Sequence, residues 1–452
     1  MITNKKELLR SDTCVKARKL ALGALEAALL AADPKIAVKK NVILKDNELH
    51  ITNELYQLDF DHVYVIGAGK ASGYMAEAFN EILHSEITSG LVIIPDNFKI
   101  KLRTGNIKLW RGTHPIPSKK GVVGTLKIFE LVKNATAKDL VICLISGGGS
   151  ALMPLPYNGI TIVQKQKITN NLLRSGATID EINAIRKHIS AVKGGRLAEL
   201  ISNSTLVSLI ISDVVGDRLD TIASGPTAPD NSTFADTQQV LKKYGLWNNL
   251  DRSIKNVIES GLSGSIPETP KDGSKVFRNV RNFIIGNNQL SCNAALNYLG
   301  SKGVNSTVLT SFMQGEAREV GVIASSIARQ INTQPLVKPT SIIMGGETTV
   351  TVRGNGRGGR NQELVLSAAS SISDLNNIAI ASIGTDGIDG NSDAAGAIVD
   401  STTTRRAQQK KILPMKYLTN NDSNTFFKKL NDVIITGLTG TNVEDILVIV
   451  SV

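Results

Sequence analysis

A chain of 452 residues with 42% hydrophobic, 20% charged and only 4% aromatic residues has room for two or three domains built on an aliphatic core. Its formal net charge of +11 points to anionic partners, but there is no long Lys/Arg block and few aromatics, which argues against a nucleic-acid surface. No run of about 18 apolar residues predicts a membrane span, "MITNKKELLRSD" lacks the apolar core of a leader, and Cys14, Cys143 and Cys292 read as buried thiols in a reducing, cytoplasmic setting.

In chain order, "LALGALEAALLAAD" (Leu20 to Asp33) reads as an apolar helix. Strand-like runs follow at "HVYVIGAG", "GLVIIPD", "DLVICLIS" and "TLVSLIISD", with helical stretches such as "GVVGTLKIFELVKNATAKD" between them. That alternation predicts a parallel sheet covered on both faces. From Asp236 to Arg281 the pattern weakens into a polar helical segment, and the Gly/Ser/Pro-rich "SGLSGSIPETPKDGSK" predicts the domain boundary. A second set of strands follows: "NFIIGNN", "NSTVLTS", "SIIMGGETTVTVRG", "NIAIASIGTDG", "DVIITG" and "DILVIVSV". Within it, the alternation of "TTVTVRG" predicts a half-exposed antiparallel strand. The expected fold is therefore α/β. A parallel-sheet N-terminal domain is expected over 1–260, and a second α/β domain with a mixed sheet over 275–452.

The glycine loops carry the chemistry. "GAGKASG" is not a P-loop, since Tyr64 and Ala71 stand where that motif needs Gly and Ser/Thr. Nor is it the dinucleotide fingerprint, because Gly73 comes one residue late. Gly67 and Gly69 would still let an anion approach the strand end beside Lys70. In Ser146-Gly147-Gly148-Gly149-Ser150, a strand runs into consecutive glycines and an expected helix, a loop suited to anion binding. A tight turn alone would need fewer glycines. Arg186, Lys193 and Arg196 form a basic stripe, either an anion contact or a solvated face, with Gly194 and Gly195 ending the helix near Lys193. Asp213 and Asp217 lie just past a strand, where ligands gather in open α/β sheets. A carboxylate there can hold Mg²⁺ or accept a hydroxyl proton; the plainer role is turn and cap formation.

"MGGETTVTVRGNGRGGRNQEL" sets Glu347 after two glycines and interleaves Arg353, Arg357 and Arg360 with four more, which suits a phosphate or carboxylate clamp. Asn361 and Glu363 open the next helix, and Asp386 repeats the strand-then-acid arrangement. Asp389, Asn391 and Asp393 match the first positions of a calcium loop, but Ala394 and Asp400 break it. His114 and His188 are isolated. Several anion loops without an organic cofactor signature point to phosphoryl transfer, where catalysis is positioning and charge stabilisation.

Together the pieces "GAGKAS", "HPIPSKKG", "LISGGGSAL", "EINAIRKHISAVKGGRLAEL", "SDVVGDRLDTIASGPT", "GGETTVTVRGNGRGGRNQEL", "GTDGIDGNSDAAGAIVD" and "TGTNVEDI" resemble the class II glycerate kinases, the glycerate 2-kinase family with a MOFRL C-terminal region. The resemblance implies transfer of the γ-phosphoryl of ATP to D-glycerate with Mg²⁺ or another divalent cation, giving 2-phosphoglycerate in a cleft between a Rossmann-like parallel-sheet N-terminal domain and a second, smaller α/β domain. It implies Lys70, Asp213 and Arg360 as catalytic residues. The loops and strand ends read above add, as expected substrate and nucleotide contacts, Gly67, Gly69, Ser146, Gly147, Gly148, Gly149, Ser150, Lys193, Arg196, Glu347, Asn361 and Asp386. Gly286-Asn287-Asn288 and Leu438 depart from the usual pattern. The expected partners are small molecules, with no nucleic acid or membrane and a homodimer as an option. The rival readings are a hydroxypyruvate or tartronate oxidoreductase and a non-catalytic sugar-acid or nucleotide sensor.

Overall fold

The computed structural model describes residues 1–9, 14–98, 103–333 and 339–452; residues 10–12 of the amino-terminal stretch read for a leader lie outside them. The chain forms two compact units, one of residues 34–285 and one of residues 1–33 with 286–452. No described helix is long and apolar enough to cross a membrane.

The 34–285 unit is built on a six-stranded sheet in the order Ile107–Gly112, Ser89–Pro95, His62–Ala68, Asp139–Ser146, Thr205–Ile211, Val280–Gly286. The first five strands pair in parallel. Asp139–Ser146 is buried at every residue, which explains its unbroken apolar reading. One core cluster joins Ile66, Cys143, Ile145 and Ile210 to Ile128 and Val132 of helix Lys119–Val132. Helix Ser72–Leu83 buries Met75, Phe79 and Leu83. A second core gathers the helices Ile162–Arg174, Ile179–His188, Phe234–Lys243 and Arg252–Leu262 around Leu172, Ile185, Phe234 and Ile258. A small antiparallel meander, Val42–Lys45, Glu48–Ile51 and Glu54–Gln57, completes the unit.

The other unit holds a mixed sheet in the order Asn305–Met313, Thr340–Gly346, Asp445–Ser451, Ile378–Gly384, Gly396–Asp400, Val433–Ile434. Only the first pair is parallel. Side chains alternate across it with the period of two that a strand imposes. Ile380, Leu447 and Ile449 face the core of helices Ala317–Thr333 and Arg360–Ala369. Ala379, Ala381, Val448 and Val450 face that of helices Val15–Ala31 and Asn288–Ser301.

Three expectations change. The first 33 residues pack with the carboxyl-terminal unit, because Leu22, Leu25, Ala28 and Leu29 of helix Val15–Ala31 are buried against its sheet and helix Asn288–Ser301. The division near the middle falls at Ile285/Gly286 rather than in the Gly/Ser/Pro stretch. That stretch is sewn down: Thr269 Oγ1 donates to Asp230 at 2.9 Å, the Asp230 amide to the Pro270 carbonyl at 3.0 Å, and the Phe234 amide to Glu268 at 2.9 Å. Finally, "TTVTVRG" is not a strand; only Thr349 forms a bridge, to Glu316, and the Thr351 amide and hydroxyl are taken by the Glu316 carboxylate.

Candidate active site

Three neighbouring parallel strands end side by side, with Ala68 opposite Ile145 and Ser146 opposite Ile211. Beyond their carboxyl ends stand Lys70, the glycine loop after Ser146 and Asp213, where side chains can converge on a ligand. The Lys70 amide donates to the Gly147 carbonyl at 2.9 Å. A Cβ on Gly147 would fall 2.1 Å from Asp213 Oδ2. On Gly148, whose φ is +83°, it would fall 2.9 Å from the His114 ring and 3.3 Å from Lys70 Cγ. The loop therefore lets Lys70, His114 and Asp213 crowd against its backbone. Among the described residues the Lys70 ammonium makes no hydrogen bond or ion pair. Burial, with the Lys70 charge second, pushes the His114 imidazole down to about 4, so it is neutral at neutral pH. His114, isolated in sequence, had its only signal in the "HPIPSKKG" motif.

The loop's far end builds a second cluster. Ser150 Oγ accepts from Lys193 Nζ at 2.5 Å and shares a 3.0 Å hydrogen bond with Ser224, whose hydroxyl donates to Asn183 Oδ1 at 3.3 Å. Lys193 Nζ also donates to the Ser150 carbonyl at 2.8 Å.

Several glycines serve the protein rather than a ligand. A Cβ on Gly67 would lie 2.1 Å from the Leu144 carbonyl, on Gly69 2.0 Å from Ser146 Oγ, and on Gly149 2.9 Å from Ala223 and from the Ala68 carbonyl. The Gly69 amide donates to Ile93 at 3.1 Å and the Ala71 amide to Ser146 Oγ at 3.0 Å, while Ser72 bonds the same hydroxyl at 3.0 Å. Gly67, Gly69 and Ser146 thus close the turn that aims Lys70, and the expected opening to an anion is filled by the neighbouring strand. The helix after the loop is one turn, Gly149–Leu152, with Gly148 as a left-handed N-cap. So short a helix adds little dipole, and its first amides, which lack intrahelical acceptors, are what it offers. Arg196 goes elsewhere: its guanidinium donates to the Pro267 carbonyl at 3.3 Å and lies over the Tyr157 ring.

In the carboxyl-terminal unit, Arg360 opens helix Arg360–Ala369. Its fork grips the buried Asp445 through Nε at 2.5 Å and Nη2 at 2.9 Å, and Nη1 reaches Glu347 at 2.5 Å. Asp445 was not singled out from sequence; the acid in "NVEDI" gives no cue that it pairs with a residue 85 positions earlier. Burial pushes its carboxyl up against the opposing pull of Arg360. Asp386 caps a turn by accepting from the Ile388 amide at 3.0 Å, and its carboxylate lies with that of Asp445 beside Gly384. Asn361 is spent on structure. Its amides go to Asp389 at 3.0 and 3.3 Å, and its Oδ1 accepts from Ser382 at 2.5 Å. The arginine–glycine loop is likewise occupied: the amides of Arg353 and Gly354 donate to Asn421, of Asn355 to Asn420, of Arg357 to Asp422 and of Gly358 to Asn391. The loop's backbone is thus held by side chains of its own unit, and its part in the expected arginine clamp falls to the guanidinium groups. Among the described residues no group of three His, Cys, Asp or Glu side chains is placed to hold a metal ion.

Fold and site together define an α/β protein that presents Lys70 and Asp213 beyond the ends of parallel strands. Residues 20–259 match a domain of unknown function, DUF4147, and residues 340–445 match the MOFRL family. A Thermotoga maritima protein named D-glycerate 2-kinase is 40% identical over 95% of this chain and 97% of its own. The crystal structure of a glycerate kinase from the same organism superposes with a TM-score of 0.87 over 96% of this chain and 99% of that one. An Agrobacterium vitis protein, 37% identical over 96% of this chain and 94% of its own, bears a provisional hydroxypyruvate reductase name. The chain belongs to the MOFRL glycerate 2-kinase family.

Proposed function

We propose that this protein transfers the γ-phosphoryl group of ATP to the 2-hydroxyl of D-glycerate, giving 2-phosphoglycerate. The observation that carries the reading is the meeting of Lys70 and Asp213 on the Gly147–Gly148 backbone, in a chain 40% identical to a D-glycerate 2-kinase along nearly its whole length. Asp213 orients the attacking hydroxyl and accepts its proton. Lys70 stabilises the charge that develops on the transferring group, the main demand of phosphoryl transfer. Neutral His114 packs beside Lys70 without competing for the anion. Ser150 and Lys193 bind phosphate oxygens at the far end of the loop. Within the carboxyl-terminal unit, Arg360, Glu347 and Asp386 are the residues offered for ligand contact.

A nucleotide-borne divalent cation such as Mg²⁺ needs only one or two protein carboxylates, the rest of its shell being phosphate and water. The strand-end pair Asp213 and Asp217 fits that donor set. When bound, the cation neutralises charge on the phosphates.

A reductase reading fits this site poorly. Ser72 stands where a dinucleotide loop needs its third glycine, and the amides of Gly69, Lys70 and Ala71 already donate within the protein. Purified protein with ATP, Mg²⁺ and D-glycerate should yield a product that enolase consumes without added mutase. A signal that appears only with a mutase makes the product 3-phosphoglycerate and defeats the proposal. No turnover despite ligand binding would favour a sensor, and NADH-linked reduction of hydroxypyruvate would favour the reductase.

A further inference from the structure

Three cations of the 34–285 unit have no counter-charge among the described residues. Lys165 is only 4% exposed, and among the described residues its ammonium has one partner, the Pro154 carbonyl at 3.2 Å. Lys193 is 2% exposed, and among the described residues its ammonium bonds the Ser150 carbonyl and hydroxyl alone. Arg186 makes no hydrogen bond or ion pair among the described residues. It lies three residues after Asn183 on helix Ile179–His188, hence on the face that Asn183 turns toward Ser224 and Ser150. The neighbouring cation Lys187, by contrast, is paired with Asp220 and Asp230. Burial pushes the Lys165 ammonium down to about 7, with Arg186 adding to the effect, and Lys193 feels both other charges. Lys165 also sits in the first turn of helix Ile162–Arg174, the positive end of the peptide dipoles, where a cation is disfavoured.

Burying a cation without a carboxylate is costly, and a carbonyl peg needs no charge. A bound anion repairs that imbalance. A single carboxylate would leave most of the positive charge unbalanced, whereas phosphate oxygens carry charge enough for all three groups and accept hydrogen bonds from each. We propose that Lys165, Arg186 and Lys193, with Ser150, form a receptor for phosphate groups that the Ser146–Ser150 loop joins to Lys70 and Asp213. The role of that phosphate in turnover rests on the kinase reading; its binding does not. The source is either the phosphate chain of the nucleotide or the phosphate of the product.

The test is calorimetric titration of the full-length protein and its Lys165→Met variant with tripolyphosphate, ATP and 2-phosphoglycerate. The variant should bind tripolyphosphate roughly 10- to 100-fold more weakly, the loss expected for one charge-assisted contact. Its unliganded Tm should equal or exceed that of the parent, since an uncompensated buried charge is gone. Loss of ATP affinity alone assigns the site to the nucleotide, loss of 2-phosphoglycerate affinity alone to the product, and either upholds the receptor. Unchanged affinity for all three probes, or a parent protein that binds none, overturns it. A lowered Tm with unchanged affinity makes Lys165 a structural peg. Should Lys165→Met fail to fold, Arg186→Gln is judged by the same affinities. Lys165-dependent binding of tripolyphosphate in a protein that makes no 2-phosphoglycerate removes the kinase reading and leaves the receptor standing. An active kinase with Lys165-independent phosphate binding does the reverse.

Discussion

Lys70 and Arg360, both carried over as catalytic, stand in opposite physical situations. Among the described residues the Lys70 ammonium makes no hydrogen bond or ion pair, so its charge is available to a reacting anion. Lys70→Ala should lower kcat by about 10²-fold or more, the scale of one electrostatic contact to a transition state, and leave Tm nearly unchanged. Arg360 is already committed to Asp445 and Glu347. A lysine cannot reproduce the two-pronged grip on Asp445, so Arg360→Lys leaves a buried carboxylate short of donors and should cost about 1–3 kcal/mol of stability as well as activity. Thermal melts beside steady-state kinetics separate the two cases. A large Tm loss in Lys70→Ala, or none in Arg360→Lys, would contradict these assignments.

At the scale of elements, the loop after strand Asp139–Ser146 holds the site by the absence of side chains. Gly147 leaves the space that Asp213 Oδ2 occupies, so Gly147→Ala should displace that carboxylate and cut kcat by roughly 10-fold or more. Gly300, inside helix Asn288–Ser301 with nothing near its missing Cβ, is the control: Gly300→Ala should be silent in kinetics and neutral or slightly stabilising. Circular dichroism and kcat measured on both variants check this, and a normal kcat in Gly147→Ala would detach Asp213 from the chemistry. The arginine–glycine loop teaches the reverse lesson. Its glycines also admit neighbours, but those neighbours are Asn420, Asp422, Ser423 and Asp389 of the same unit, and its amides are satisfied.

Across the whole molecule, the chain folds back on itself. Helix Val15–Ala31 belongs to the core of the carboxyl-terminal unit, and Arg18, 2% exposed, pairs with Asp400 and, at 2.9 Å, with Asp432. Removing residues 1–33 should therefore expose Cys292, Leu299, Ile343 and Val448 and abolish cooperative folding of the 286–452 part. Leu25→Ala, fully buried in the same core, should cost about 2–5 kcal/mol. Differential scanning calorimetry reads both, and a truncated chain that melts like the parent would place helix Val15–Ala31 outside the core.

Much of this was written in the sequence because it depends on local pattern. The buried parallel strands are continuous apolar runs, the strand-end acid Asp213 and the lysine of "GAGK" follow strands directly, and the motif order carries the family. The rest depends on which distant groups meet. Composition marked residues 260–275 as the domain boundary, but Asp230 and Phe234 tie that stretch down. Glycine density marked several anion loops, yet only the surroundings decide whether a glycine's amide faces a ligand or a neighbouring carbonyl. The charge of Lys165 carries no signal in a polar helix of ordinary sequence. Only the tertiary structure buries it, leaves it without a carboxylate and sets it with Arg186 and Lys193. The physical reason is that hydrogen-bond partners and counter-charges are non-local, whereas strand and helix periodicity are not.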